Sequence, residues 1–366
     1  ATTCHAPSVA GLATSFGSGA MTNSIGEIKD VDTMFIIGSN PTEAHPIIGL
    51  EMKKARGRGG KMIVCDPRRT WVAEHADIHI QHKPGTDNML INAMMRHILD
   101  EGLHDREFIA SRCEDFDAFR ANLDGCSVEE AAEVCDVDAD LIRRAAEMYA
   151  QGEPSGIYYT LGITEHTSGT ENVMNLANLA MLTGQIGVPS SGVNPLRGQN
   201  NVQGGCDMGA MHMAFPGYQK VVDEDVRLKF SEAWRVELPT NKGGRIPDMV
   251  EAADDGSLRG LYVFGEDPAT SEPNQAKVIA SLEKLDFRAV QEILMTETAK
   301  RAVVVLPATT FAEKDGTFTN TERRVHRVRK AVDPPGQATP DWEILCLVSP
   351  AMGHPLAYAP AGEVFD

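Results

Sequence analysis

Short apolar runs alternate along the chain with longer segments in which apolar residues recur every three or four positions. Runs of the first kind predict buried strands, and segments of the second kind predict amphipathic helices. The predicted strands cover residues 32–38, 61–66, 77–80, 156–161, 261–265, 288–291 and 303–307. The predicted helices cover residues 46–58, 87–101, 139–150, 171–182, 223–234, 275–284 and 341–349. Ser127 with Glu130 forms a capping box that predicts the start of a further helix. This alternation is typical of an α/β fold with doubly wound parallel sheets.

The same pattern divides the chain into two α/β units. The first ends near Gln199, and the stretch that follows, up to about Lys242, is rich in Gly and Met and irregular apart from one predicted helix. A second series of strands and helices fills the remainder. With 366 residues in total, we expect two domains, over residues 1–199 and 200–366.

The charge and the cysteine content of the chain argue against several classes of partner and cofactor. The chain has 34 basic against 52 acidic residues, a net charge of −18, and no Lys/Arg run that could follow a phosphate backbone, so we expect no nucleic-acid partner. No apolar stretch is long enough to predict a membrane span. The seven cysteines are scattered without a CxxC pair, which argues against an iron–sulfur cluster in this chain and favours a reducing, cytoplasmic location.

Polar loops follow the predicted strands, at the edge where α/β sheets bind ligands. They cover residues 38–45, 65–69, 84–87, 265–270 and 291–292. Their carboxylates can accept hydrogen bonds from the N1–H and 2-amino groups of guanine or from a ribose diol, and Arg68 can meet a phosphate. Any one such loop could be an ordinary turn, but five favour nucleotide binding. The chain has no Walker A run and no well-placed GxGxxG, so an ATPase or a simple NAD site is disfavoured.

Two motifs carry candidate metal and anion chemistry. Cys4 and His5 begin the run CHAPSVAGL, where a soft thiolate suits a transition metal and the neighbouring imidazole can carry a proton near neutral pH. Residues 192–209 hold five glycines around Arg197, and an Arg guanidinium binds carboxylates through two parallel hydrogen bonds. Taken alone, each motif has a simpler explanation, since a lone cysteine is usually a small buried hydrophobe and a Gly/Asn run is usually a surface loop.

Together the two motifs closely resemble segments of molybdenum- or tungsten-dependent formate dehydrogenases, members of the bis-molybdopterin oxidoreductase superfamily. The resemblance extends from Ala1 to about Tyr358. It implies two Rossmann-like, doubly wound domains, the second of them incomplete. It also implies that the chain is the central part of a catalytic subunit, with a [4Fe–4S] cluster expected in a segment that precedes it.

The resemblance also implies a set of site residues. Cys4 would be the metal ligand, and His5 and Arg197 would be catalytic residues beside it. The residues implied for one pterin–guanine dinucleotide are Asn40, Glu43, Cys65, Asp66, Arg68, Gly85 and Asp87. Those implied for the other are Glu266, Asp267, Thr270, Gln291, Glu292 and Asp341. Glu165 and Gln199 would contact the cofactor near the metal, whereas a structural role for His166 is at least as compatible with the sequence.

The implied function is reversible oxidation of formate to CO2 at a Mo or W bis-molybdopterin guanine dinucleotide centre. Electrons would pass to iron–sulfur centres outside this chain and to iron–sulfur or flavin subunits. The sequence leaves open whether the C–H hydrogen leaves as hydride or as a proton. Two alternatives also stay open. The chain could belong to another molybdopterin oxidoreductase such as a nitrate reductase, although nitrate reductases do not share the Cys-His-x-Pro-Ser order. It could also be a folded fragment with no activity of its own.

Overall fold

The chain folds into two compact units. A computed structural model describes residues 2–365, with side chains from Cys4 onward. The first unit ends at Gly204 and also takes in Thr319–Arg324, while Gly205–Phe318 and the residues from Val325 onward form the second. The predicted domain boundary after residue 199 lies close to this division. The sequence did not predict that Thr319–Arg324 would belong to the first unit. As an assignment of cofactor domains, it stays a prediction.

The first unit has a central sheet with helices on both faces. Its strands are β1 (Thr33–Ile37), β2 (Lys61–Cys65), β3 (Ile78–Ile80), β4 (Ser155–Tyr159) and β5 (Gly192–Pro195). Its helices are α1 (Thr2–Phe16), α2 (Pro41–Ala44), α3 (Pro46–Gly57), α4 (Trp71–Glu74), α5 (Asp87–Asp100), α6 (Arg106–Arg112), α7 (Phe116–Leu123), α8 (Val128–Cys135), α9 (Ala139–Gln151), α10 (Leu161–Thr164) and α11 (Gly169–Leu182). A further helix, α12 (Val202–Asp207), crosses the division between the units.

All five strands of this sheet are parallel, in the order β3-β2-β1-β4-β5. Alternate side chains of β1 enter two separate cores: Phe35 and Ile37 pack with α5, α9 and α11, whereas Met34 and Ile36 pack with α3 and α4. Because both faces are covered, a central strand needs an apolar side chain at every position, which explains the continuous apolar runs. The prediction of an α/β fold with doubly wound parallel sheets is confirmed.

The direction of winding reverses between β1 and β4, since β1 leads on to β2 and β3 while β4 leads on to β5. The loops that follow β1 and β4 meet at this switch point, the place where open α/β sheets bind ligands. The Gly162 N–H donates to the Gly38 carbonyl at 3.1 Å, and a Cβ on Gly162 would lie 2.5 Å from the Gly38 Cα. Gly38 also has a φ of +55°. Two glycines therefore allow the loops to touch.

The strands after β5 are β6 (Ala214–Phe215), β7 (Gln219–Lys220), β8 (Gly260–Phe264), β9 (Phe287–Glu292), β10 (Val304–Pro307), β11 (Gly316–Thr319) and β12 (Val325–Val328). Three of them form the smaller parallel sheet of the second unit, in the order β10-β9-β8, while β6 pairs with β7 and β11 with β12. The helices of the second unit are α13 (Glu224–Trp234), α14 (Ile246–Asp255), α15 (Pro268–Ser271), α16 (Gln275–Glu283), α17 (Asp341–Val348) and α18 (Ala361–Phe365). None of the helices within residues 2–365 combines the length and the apolar character that a membrane crossing requires.

Several local predictions differ from the structure. Cys4 and His5 lie in the first turn of α1, a helix that is not among those predicted from the sequence. The strand predicted over 156–161 ends at Tyr159, and Leu161 already begins α10. The run at 192–209, predicted as a loop, contains β5 and α12. β5 escaped prediction because it ends in proline, which strands tolerate at the edge of a sheet, where β5 lies.

The contact between Gly38 and Gly162 can be tested by Gly162→Ala. We expect this change to destabilise the protein by about 1–3 kcal/mol, because the new Cβ would collide with backbone that no rotamer change can move. Gly57→Ala is the matched control, since Gly57 also lies in a helix and no atom lies within 4 Å of its Cβ position. Urea unfolding of both variants measures the difference, and equal stability of the two would contradict the steric account.

Candidate functional site

The first turn of α1 is fixed at the carboxyl end of β4. The Thr164 hydroxyl donates to the Cys4 carbonyl at 3.1 Å. One turn further along, the Tyr159 hydroxyl donates to Ser8 Oγ at 3.0 Å, and both side chains are buried. Because Tyr159 is the last residue of β4, these bonds hold Cys4 and His5 where the strand ends.

Arg197 follows β5, the strand next to β4, and its side chain is only 6% exposed. Its Nη2 donates to the Gly19 carbonyl at 2.6 Å, its Nη1 donates to Gln203 Oε1, and its Nε–H is buried without an acceptor. Within the described residues the guanidinium forms no ion pair, so two neutral oxygens hold a buried positive charge. A buried cation without a carboxylate partner is costly and favours an anionic ligand.

Electrostatic effects connect Cys4, His5 and Arg197. Burial raises the pKa of the Cys4 thiol, and the carboxylate of Glu165 raises it further, while the charge of Arg197 acts in the opposite direction. Burial and then the charge of Arg197 lower the pKa of His5 to about 4. His5 is therefore a neutral imidazole at neutral pH. The structure brings together the three residues that the sequence singled out as catalytic.

A cleft with a volume of about 390 Å³ opens at the switch point of the first sheet. Four of the predicted nucleotide-binding residues line it, namely Asn40, Asp66, Arg68 and Asp87. They come from the loops after β1, β2 and β3, and the loop after β4 adds Thr160, Gly162 and His166. The carboxyl ends of neighbouring parallel strands thus meet around one opening, as the sequence predicted.

Buried polar atoms in this cleft could serve a ligand. Asp66 Oδ1 accepts the Arg68 N–H at 2.8 Å, which fixes the loop after β2. Three further atoms are buried without a hydrogen-bond partner: Ser39 Oγ, His82 Nδ1 and Asp87 Oδ2. Such groups are rare because each unmade hydrogen bond costs about 1–3 kcal/mol. A ligand rich in hydrogen-bonding groups, such as a nucleotide, fits this cleft.

Not every predicted residue faces the cleft. Cys65 requires correction, because its side chain is fully buried in the core and its thiol cannot contact a cofactor; only its carbonyl, which accepts the Gly38 N–H at 3.0 Å, lies near the edge. Glu43 and Gly85 are exposed residues of the loops after β1 and β3. Glu165 is exposed but acts electrostatically on Cys4, and Gln199 is exposed two positions after Arg197.

In the second unit the predicted residues gather at the carboxyl ends of β8 and β9 and at the start of α17. Glu266 and Thr270 are exposed there, and Glu292 accepts the N–H of its neighbour Ile293 at 2.7 Å. Asp267 Oδ1 accepts both the N–H and the hydroxyl of Thr298, at 2.9 and 2.6 Å. Asp267 is therefore a carboxylate that ties the loop after β8 to the segment after β9.

Gln291 and Asp341 are linked to each other. Gln291 is 1% exposed, its Nε2 donates to Asp341 Oδ1 at 2.9 Å, and its Oε1 accepts the Tyr262 hydroxyl. Lys314 Nζ donates to the other oxygen of Asp341. Each oxygen of Asp341 thus accepts one side-chain hydrogen bond, and Gln291 and Lys314 orient the carboxylate. Sequence reasoning missed Lys314, Tyr262, Thr298 and, in the first unit, His82, because isolated residues carry no spacing signal.

A single thiolate is the candidate protein ligand for a metal. Across residues 2–365, no three His, Cys, Asp or Glu side chains converge as a metal site would require. All seven cysteines are free. The resemblance implies that a cofactor supplies the other ligands.

A thiol beside a buried arginine at the strand ends of a doubly wound α/β sheet, with a cleft at the switch point, is typical of a ligand-binding α/β protein. The family model described as Molybdopterin oxidoreductase matches residues 1–351. The chain therefore belongs to the molybdopterin oxidoreductase family.

Several similar proteins are named formate dehydrogenases. The chain is 49% identical over 350 residues to the F420-dependent formate dehydrogenase subunit alpha of Methanocaldococcus jannaschii, with 96% of this chain and 52% of the relative covered. It is 44% identical over 363 residues to formate dehydrogenase H of Escherichia coli, with 99% and 51% covered. The chain thus spans about half the length of these relatives. Acetylene hydratase from Pelobacter acetylenicus matches the fold, with a TM-score of 0.73, 20% identity, and 94% of this chain and 50% of that chain covered.

The electrostatic link between Glu165 and Cys4 can be tested by Glu165→Gln. Removal of this negative charge should lower the pKa of the Cys4 thiol and so raise its thiolate fraction below that pKa. We expect Cys4 to react a few-fold faster with iodoacetamide at pH 8, measured on its peptide by mass spectrometry. Glu171→Gln, another exposed glutamate of the same unit, is the control. A Cys4 rate that stays constant or falls in Glu165→Gln would contradict the link.

Proposed function

We propose that this chain forms part of the catalytic subunit of a formate dehydrogenase, which oxidises formate to CO2 reversibly at a Mo or W bis-molybdopterin guanine dinucleotide centre. One observation carries the proposal. The buried guanidinium of Arg197, without a carboxylate partner in the described chain, acts electrostatically on both Cys4 and His5. A thiol that can ligate a metal, a neutral imidazole and a cation that can bind an anion together suit the oxidation of formate at a metal.

The residues present fit the cofactor. Cys4 is half-buried and would hold the metal through its thiolate, with release of the thiol proton on binding. Asn40, Asp66, Arg68 and Asp87 would hold one dinucleotide in the cleft of the first unit. The group at the strand ends of the second unit, which includes Asp267 and Asp341, would hold the other. Glu43, Gly85, Glu165, Gln199, Glu266, Thr270, Gln291 and Glu292 complete the proposed set.

Arg197 would bind and orient the substrate. Formate is a carboxylate, and a guanidinium offers it two parallel N–H donors. Two of the Arg197 nitrogens are held by Gly19 and Gln203, so the guanidinium plane is fixed before substrate arrives. A pre-oriented cation loses little conformational entropy on binding and would direct the C–H bond of formate away from itself.

Conversion of formate to CO2 releases two electrons and one proton. When bound, the metal–pterin group supplies the electron acceptor. The hydrogen of the C–H bond leaves either as hydride or as a proton. In the second route His5, which is neutral at pH 7 because its pKa is about 4, would take the proton on its imidazole and release it readily.

The electrons would leave through iron–sulfur centres outside this chain, the [4Fe–4S] cluster being proposed for a preceding segment, and through iron–sulfur or flavin subunits. Relatives named as alpha subunits support a multi-subunit assembly. A reducing cytoplasm is the proposed location, supported by seven free cysteines.

Arg197→Lys in the full-length subunit tests the proposal. Lysine keeps the charge but cannot donate from two nitrogens in one plane, so we expect the KM for formate to rise about tenfold or more. Arg56→Lys is the control, because Arg56 forms a similar two-point pair with Asp77, at 2.7 and 2.9 Å, away from the site. Steady-state formate oxidation with an artificial acceptor provides the measurement. Formate kinetics that do not change in Arg197→Lys would remove Arg197 from the mechanism.

The same assay separates formate from nitrate as substrate. We expect turnover of formate and none of nitrate, since the two named relatives compared above are formate dehydrogenases. Reduction of nitrate without oxidation of formate would replace the proposal with a nitrate reductase. A full-length subunit that turns over neither, although loaded with cofactor, would contradict both.

A further inference from the structure

A buried histidine–aspartate pair lies in the cleft of the first unit. His82 and Asp87 are each 3% exposed, and the His82 Nε2 lies 3.0 Å from Asp87 Oδ1. His82 comes from the loop after β3, and Asp87 is the first residue of α5. Both residues line the cleft of about 390 Å³. The sequence singled out Asp87 but gave no reason to notice His82.

The chemistry of this pair determines which residue donates the hydrogen bond. A carboxylate only accepts hydrogen bonds, so the proton of the pair lies on His82 Nε2, and His82 Nδ1 faces away from Asp87. Such a charge-assisted bond from a buried ring holds the carboxylate in one orientation. Asp87 also lies at the N-terminus of a 14-residue helix, where the helix dipole stabilises its charge.

The second oxygen of this carboxylate stays free for other donors. Asp87 Oδ2 is buried without a hydrogen-bond partner. The Nε2 of His166, from the loop after β4, lies 4.0 Å away, too far for a hydrogen bond, and is paired at 2.9 Å with the Gly162 carbonyl. His82 therefore orients the Asp87 carboxylate, whereas His166 leaves Asp87 Oδ2 without a hydrogen bond.

We propose that His82 is a positioning residue, which orients the Asp87 carboxylate so that it accepts two adjacent donors of the nucleotide part of the cofactor. This inference rests on the dinucleotide site of the proposed function and adds His82 to it. Two donor pairs of a guanosine nucleotide match this description: the N1–H and 2-amino group of the base, and the two hydroxyls of the ribose. Both present paired donors at the spacing of a carboxylate.

The test measures GMP binding to the 366-residue chain by calorimetry. His82→Met removes the donor and should weaken GMP binding about tenfold. His82→Gln places an amide N–H near the position of the ring Nε2 and should bind within about threefold of the wild type. If His82→Met does not fold, His82→Asn, whose amide is too short to reach, provides the same comparison.

His97→Met is the matched control. His97 lies on α5 as well, and its Nε2 pairs with Glu147 Oε1 at 2.9 Å, outside the cleft. This variant should lose thermal stability to a similar extent as His82→Met but bind GMP as the wild type does. Equal weakening in His82→Met and His97→Met would mean a general packing effect and overturn the proposal.

Two analogues identify the donors. IMP has no 2-amino group, and 2′-deoxy-GMP has no 2′-hydroxyl. We expect one of them to bind the wild-type chain more weakly than GMP, and we expect this preference to disappear in His82→Met and to persist in His82→Gln. A preference that survives in His82→Met would overturn the positioning role, as would a wild-type chain that binds no GMP.

The outcomes for this pair and for formate oxidation are separable. A positive GMP result with no formate turnover by the full subunit would sink the proposed reaction and leave the role of His82 intact. Formate turnover combined with GMP binding that does not depend on His82 would do the reverse.

Discussion

The buried charge of Arg197 is the constraint on which the candidate site depends. A guanidinium that is 6% exposed requires hydrogen-bond acceptors, and it finds two in the Gly19 carbonyl and Gln203 Oε1. Neither acceptor carries a charge, so these hydrogen bonds do not neutralise the guanidinium. The charge of Arg197 acts to lower the pKa values of Cys4 and His5, although burial and Glu165 raise that of Cys4 overall. Although the chain has a net charge of −18, Arg197 provides the local positive charge that an anionic substrate requires.

The ends of two adjacent strands position Cys4, His5 and Arg197. β4 ends at Tyr159, which holds α1 through Ser8, and β5 ends two residues before Arg197. At the switch point the two glycines at 38 and 162 let the loops after β1 and β4 touch, and the cleft opens beside them. Residues distant in sequence thus meet because parallel strands present their carboxyl ends at one edge.

Much of this arrangement could be predicted from the sequence. Continuous apolar strands specified the doubly wound sheet, and the polar loops after them specified the edge at which ligands would bind. The position of Cys65 could not be predicted, because a cysteine at a strand end looks the same whether its thiol turns toward the core or the cleft. β5 carries no β-branched alternation, and so its strand character depends on pairing with β4. His82, Gln203 and Lys314 act through contacts made only in the folded chain, which a linear pattern does not record.

The most direct test of the account is the metal content of the full-length subunit with and without the Cys4 thiol. Wild-type protein and Cys4→Ala would be analysed for Mo and W, with Cys126→Ala, a half-buried cysteine outside the site, as control. The account predicts stoichiometric Mo or W in the wild type and in Cys126→Ala, and a large loss in Cys4→Ala, because the thiolate is the proposed protein ligand. Full metal occupancy in Cys4→Ala, or neither metal in the wild type, would contradict it.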